Sequence, residues 1–126
     1  MTVLHQPATT GDVLKYEVNP NFTRETVTLL AGTAYPVGAV LGKITVSGKY
    51  KLATSGGSDG AQTAAAVLLY AVDATLADAV GIVVVRGPSI VSRASLAYDA
   101  TVDDAPKITT KLGQLAALGI IARDTA

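Results

Sequence analysis

Polar and apolar positions alternate from Phe22 to Ala31, with Val27 and Leu29 on one side and Thr26 and Thr28 on the other, which predicts a strand. Val40 to Val46 predicts a second strand, broken at Gly42, where a bulge or a close backbone approach is expected. Tyr35-Pro36-Val37-Gly38 between them predicts a turn, and Ser47-Gly48-Lys49 a hairpin turn into Tyr50-Lys51-Leu52. Ser55 to Gly60 has the composition of a loop. Ala64 to Val72 is continuously apolar and reads as one buried strand, its β-branched end and its neighbours outweighing its alanines. Asp73 to Ala79 reads as a polar connection. Gly81 to Arg86 contains Ile82-Val83-Val84-Val85, the strongest strand pattern in the chain, and Gly87-Pro88 ends it. Ile90, Val91 and Leu96 belong to a further strand and its exit.

The period then changes. Pro106 to Leu118 sets Ile108, Leu112, Leu115 and Leu118 at helical spacing, with Pro106 suited to the first turn and Asp103 and Asp104 ahead of a helix N-terminus that favours acids. Gly119 fits a left-handed cap, and Ile120 to Arg123 reads as a last short strand. Met1 to Pro20 is polar and unpatterned, unable alone to offset its ordering entropy. Residues 1–21 are therefore expected to be an arm, disordered when free, in which Val13, Tyr16 and Val18 form a short strand on contact with a partner. Residues 22–126 are expected to form a single mainly β (α+β) domain. It would be a small Gly-punctuated barrel or sandwich with one C-terminal amphipathic helix.

Composition narrows the function. The 126 residues suit one domain, and 49% are hydrophobic. Aromatics are only 5%, so Val, Ile, Leu and Ala must build the core, with Tyr16, Phe22, Tyr35, Tyr50, Tyr70 and Tyr98 as its large pieces. Charged residues are 16%, below the roughly 25% usual for soluble domains, which suggests apolar surface covered by a partner. The net charge is zero with no basic run, which argues against a nucleic-acid partner. There is no cysteine for disulfide or thiol chemistry. The N-terminus has no signal-peptide pattern, and the longest apolar runs are half of the roughly 20 residues that span a bilayer. No membrane partner is expected, and the chain reads as soluble and kept in the cell that made it.

Catalytic chemistry is not assembled by the sequence. His5, the one histidine, stands in the arm without partners and reads as a solvated side chain. Gly42-Lys43 lacks the spacing of a phosphate loop. Asp99, Asp103 and Asp104 lack the order of a calcium loop and read as a turn with helix-start acids. Ser92 and Ser95 have no base or nucleophile elbow beside them, the Asn21-Phe22-Thr23 sequon reads as chance, and Ser58-Asp59-Gly60 reads as a turn. No enzyme activity, metal or cofactor is expected. Arg24 and Arg86 adjoin apolar strands and are candidate inter-subunit contacts, with Asp59 or Asp73 as their partners.

Several short segments, in order, carry a resemblance. They are Arg24-Glu25-Thr26-Val27-Thr28-Leu29, Gly38-Ala39-Val40-Leu41-Gly42-Lys43, Gly48-Lys49-Tyr50, Ser58-Asp59-Gly60 before the Ala64 to Val72 run, Val83-Val84-Val85-Arg86-Gly87, and the Leu112/Leu115/Leu118 helix. From about Phe22 to Arg123 the chain resembles the lambda-type head decoration proteins of tailed bacteriophages. The resemblance implies a capsid cement protein, made in the host cytoplasm and carried on the outside of the virion. Such proteins bind as homotrimers at three-fold and quasi-three-fold positions of the expanded head, tie major capsid protein subunits together and resist DNA pressure. It also implies an arm that pairs with the capsid protein, here through Val13, Leu14, Tyr16, Val18 and Phe22. The chain departs from the lambda protein in its arm and in having no Trp. The alternative is a small β-barrel carrier or ligand-binding module, since Gly-punctuated strands also build lipoyl-type barrels. That class needs a lysine at a hairpin tip in an Asp-Lys-Ala/Met setting, which Lys43, Lys49 and Lys51 lack.

Overall fold

The computed structural model describes residues 9–124. Its elements run α1 (Thr10–Val13), β1 (Leu14–Glu17), α2 (Pro20–Thr23), β2 (Arg24–Leu29), β3 (Thr33–Tyr35), β4 (Val40–Lys43), β5 (Tyr50–Leu52), β6 (Ala64–Leu68), β7 (Val72–Ala74), β8 (Ala79–Val84), β9 (Ser89–Ser92), α3 (Ala105–Ala116) and β10 (Ile120–Arg123). The protein is mainly β. Five strands close into a barrel in the order β2-β5-β4-β6-β8, and β1-β9-β10 form a separate sheet with β9 central. β3 and β7 make a two-stranded ribbon.

Two cores follow from this arrangement. Leu29, Tyr35, Leu41, Tyr50, Ala66, Leu68 and Val83 pack together in one. Val13, Val40, Ala64, Val67, Leu69, Val84, Val91, Leu115 and Ile120 form the other, which joins the barrel to the β1-β9-β10 sheet and α3. Side chains alternate along a strand, so β6 and β8 send neighbours to different cores: Leu68 and Val83 to the first, Val67 and Val84 to the second. Both faces of β6 are thereby covered, which is why its sequence shows no polar alternation. Each large aliphatic so buried contributes about 1.5–3 kcal/mol.

The apolar run expected as one strand is two. β6 ends at Leu68, and β7 begins at Val72 in the ribbon. Gly42 is where the chain expectation of a bulge or close approach is met: β4 and β6 shift register there, and a Cβ on Gly42 would stand 2.3 Å from the Ala61 carbonyl oxygen. The helix starts where the acids and proline placed it. Asp104 caps it, accepting from the Lys107 N–H at 3.0 Å, and Pro106 lies in its first turn. Gly119, at φ +85°, follows its end in the left-handed region. Leu112 and Leu115 face the second core, whereas Leu118 lies beyond the last turn and is 39% exposed. The helix also buries Lys111, whose ammonium donates to the Gln62 carbonyl.

The N-terminal segment is more folded than its sequence suggests. β1 pairs antiparallel with β9, Leu14 opposite Val91 and Tyr16 opposite Ile90. Val13 is fully buried, and the Thr10 hydroxyl donates to the Leu69 carbonyl. Of the segment expected to be an arm, residues 1–8, including His5, lie outside the described residues. Of the large aromatics expected in the core, Tyr35 and Tyr50 are buried and Tyr98 packs against it, while Tyr16, Phe22 and Tyr70 are about half exposed.

Candidate functional site

Among the described residues, exposed apolar side chains include three groups, besides Phe22, Tyr70 and Leu118. The first crosses the β1-β9-β10 sheet. Tyr16 stands opposite Ile90, which stands opposite Ile121, so all three share one face. Tyr16 and Ile121 are exposed and Ile90 is half-buried. Val18 continues the stripe, its N–H donating to the Pro88 carbonyl at 3.0 Å. The second lies on the barrel wall, where Thr26 pairs with Ile82 and Thr28 with Val80. Val80 is 65% exposed, and none of these four side chains is charged. The third comprises Val46 and Leu76, 98% and 97% exposed in two connections that the Lys49–Asp78 ion pair (2.6 Å) links.

The residues singled out in the sequence occupy varied places. Val13 is in the core and Leu14 is packed against it, so neither is presented outward as Tyr16, Val18 and Phe22 are. The charged candidates are all engaged within the chain, and the two arginines do not meet Asp59 or Asp73. Arg24 binds Glu17 through two nitrogens, at 2.6 Å and 3.0 Å. Burial pushes the Glu17 carboxyl up, but hydrogen bonds from Arg24 and Thr23 outweigh it and hold the group below its ordinary range. Arg86 donates to Glu25 at 2.9 Å and to the Phe22 carbonyl, and its guanidinium lies over the Phe22 ring at 5.3 Å. Asp59 pairs with Lys51 at 2.7 Å, and Asp73 accepts from Thr75. Asp99 accepts from Thr101, and Asp103 pairs with Lys107.

Ile121, Val80, Val46 and Leu76 were not marked by sequence pattern. β8 and β10 carry apolar residues on both faces, so periodicity alone does not say which face a neighbour covers. Two open clefts, about 250 Å³ beside Lys51 and Asp99 and about 400 Å³ beside Pro36 and Asp73, flank the β3–β7 ribbon. Lys51 at the first is committed to Asp59.

The chain matches the family model of the bacteriophage lambda head decoration protein D over residues 3–120. It belongs to that family. No curated protein matches it. A head decoration protein works through surfaces that meet the phage head, and exposed apolar residues suit that better than the clefts do. Among the described residues no helix is long and apolar enough to cross a membrane.

Proposed function

We propose that this decoration protein is a structural cement and not an enzyme. Three copies bind the outside of the expanded head at each three-fold and quasi-three-fold position and hold neighbouring major capsid protein subunits against internal DNA pressure. The family match along residues 3–120 carries the reading. Exposed, uncharged apolar side chains on a sparsely charged chain support it, because a cement needs surfaces that a partner can dehydrate.

The proposal places shell contact on the residues ahead of Thr9, together with Tyr16, Val18 and Phe22. β1 is an edge strand of its sheet, so a shell strand can add beside it, with main-chain hydrogen bonds giving affinity. Ordering a free segment costs roughly 1–2 kcal/mol per residue, which keeps a single attachment weak. Three attachments on one trimer raise avidity by about 10²- to 10⁴-fold. Arg24, Asp59, Asp73 and Arg86 then act at subunit boundaries through the outward sides of hydrogen bonds and ion pairs already made within the chain.

Co-pelleting with precursor and expanded heads tests this reading. Saturable binding to expanded heads, with little to precursors, is expected. Equal binding to both contradicts it, since a ligand shifts an equilibrium only by its differential affinity.

A further inference from the structure

Asp59-Gly60 is the one Asp-Gly pair in the sequence, and there is no Asn-Gly. An aspartate before glycine is chemically the most prone to rearrange, because no side chain on the next residue obstructs attack by its nitrogen. The Gly60 nitrogen bonds to Asp59 Cγ, a Cγ–O bond breaks, and the oxygen departs as water carrying the amide proton. Water then reopens the five-membered imide at either carbonyl, restoring aspartate or leaving an isoaspartyl linkage with one extra methylene in the main chain. One water leaves and one returns, so no oxidant or co-reactant is needed.

The structure opposes each requirement of this reaction. Attack needs a neutral carboxyl, but Asp59 Oδ2 pairs with Lys51 Nζ at 2.7 Å and Oδ1 accepts from the Ala61 N–H at 3.0 Å. It needs a free Gly60 nitrogen, but that N–H donates to Gln62 Oε1 at 2.8 Å. It needs the backbone to turn, but the Asp59 carbonyl accepts from the Thr45 N–H at 2.8 Å. Gln62 is itself anchored: its carbonyl accepts from the Lys111 ammonium, on a side chain 2% exposed. Shielding from water is not the protection, since the Asp59 side chain is 40% exposed.

We infer that Asp59-Gly60 is a latent isomerisation site, held shut by Lys51, Ala61 and Gln62 with Lys111 as a positioning residue, and modified when that clamp opens. The Lys51 hydrogen bond also holds the Asp59 carboxyl below its ordinary range, which keeps its reactive acid form scarce. The inference does not depend on the capsid reading. It gives a use to a buried lysine that capsid binding leaves unexplained.

The test ages the full chain at neutral pH and physiological temperature and measures isoaspartate at residue 59 by peptide mapping with electron-transfer fragmentation. Native protein, urea-unfolded protein, Gln62→Ala, Gln62→Glu, Lys51→Met and Leu115→Ala are compared. The unfolded chain and folded Gln62→Ala are expected to isomerise at least about tenfold faster than the native protein, the factor for one hydrogen bond of about 1.4 kcal/mol. Gln62→Glu keeps the acceptor and should restore the slow rate. Leu115→Ala is the control for general loosening. A native rate equal to the unfolded rate overturns the inference. So does a folded Gln62→Ala no faster than the native protein, or a Leu115→Ala as fast as Gln62→Ala. If Gln62→Ala does not fold, Lys51→Met decides: acceleration in the folded state supports the clamp, and an unchanged rate rejects it.

Discussion

Gly42 shows how a single missing side chain shapes the barrel. The β4 backbone passes so near Ala61 that a methyl group would meet its carbonyl oxygen at 2.3 Å and its Cα at 2.6 Å. Gly42→Ala should therefore lower stability by about 1–3 kcal/mol, read as a drop in the urea midpoint. An unchanged midpoint would show that β4 has room. A glycine interrupting an apolar strand signalled this close approach without any structure. Val13 and Lys111 gave no such signal. Val13 sits among polar residues, and its core is supplied from far along the chain by the barrel, β9, α3 and β10. Lys111 is a charge at a buried helical position, tolerable because its stem covers apolar surface while its ammonium finds a carbonyl. Glu17 makes a pH prediction at the same scale. Its folded pKa lies below the ordinary 4.5, so its stabilisation is full above that value and is lost as pH falls through the folded one. Glu17→Gln should cost about 1–3 kcal/mol at neutral pH. It should also flatten the fall in urea midpoint on acidification below about pH 4.5 relative to the wild type. Parallel curves for the two proteins would place the acid sensitivity elsewhere.

The strands and the helix were legible where one face only is buried. β2 alternates because its outer threonines meet solvent, and α3 shows a helical period because one side meets the second core. β6 hid its end, since burial on both faces leaves no polar residue to mark where Leu68 gives way to the turn before β7. The helical period also ran one residue set too far. Leu118 keeps the spacing of Leu115, but the chain has left the helix before it. The two leucines therefore separate in energy. Leu115→Ala should cost about 2–5 kcal/mol, as a cavity in a closed core does. Leu118→Ala should change stability by no more than about 0.5 kcal/mol, as surface substitutions do. Comparable losses in chemical denaturation would mean that the helix continues through Leu118.

Over the whole molecule, the order of short strand patterns carried the family, whereas the pairing of β9 with both β1 and β10 did not show in it. That sheet joins strands far apart in sequence, and its register depends on contacts that local pattern does not encode. Removing residues 1–8 should lower occupancy on expanded heads, as the proposed shell contact requires. Removing residues 1–17 takes away Val13, β1 and the Glu17–Arg24 pair as well, and should destabilise the fold itself. Equal stability of both truncations would mean that β1 adds nothing to the folded body. The central claim, that the protein works as a trimeric cement on the mature shell, is tested most directly by electron cryomicroscopy of expanded heads with and without it. The account predicts added density from three copies around each three-fold and quasi-three-fold axis on the outer surface. Absence of added density on saturated heads, or single copies away from those axes, would contradict it.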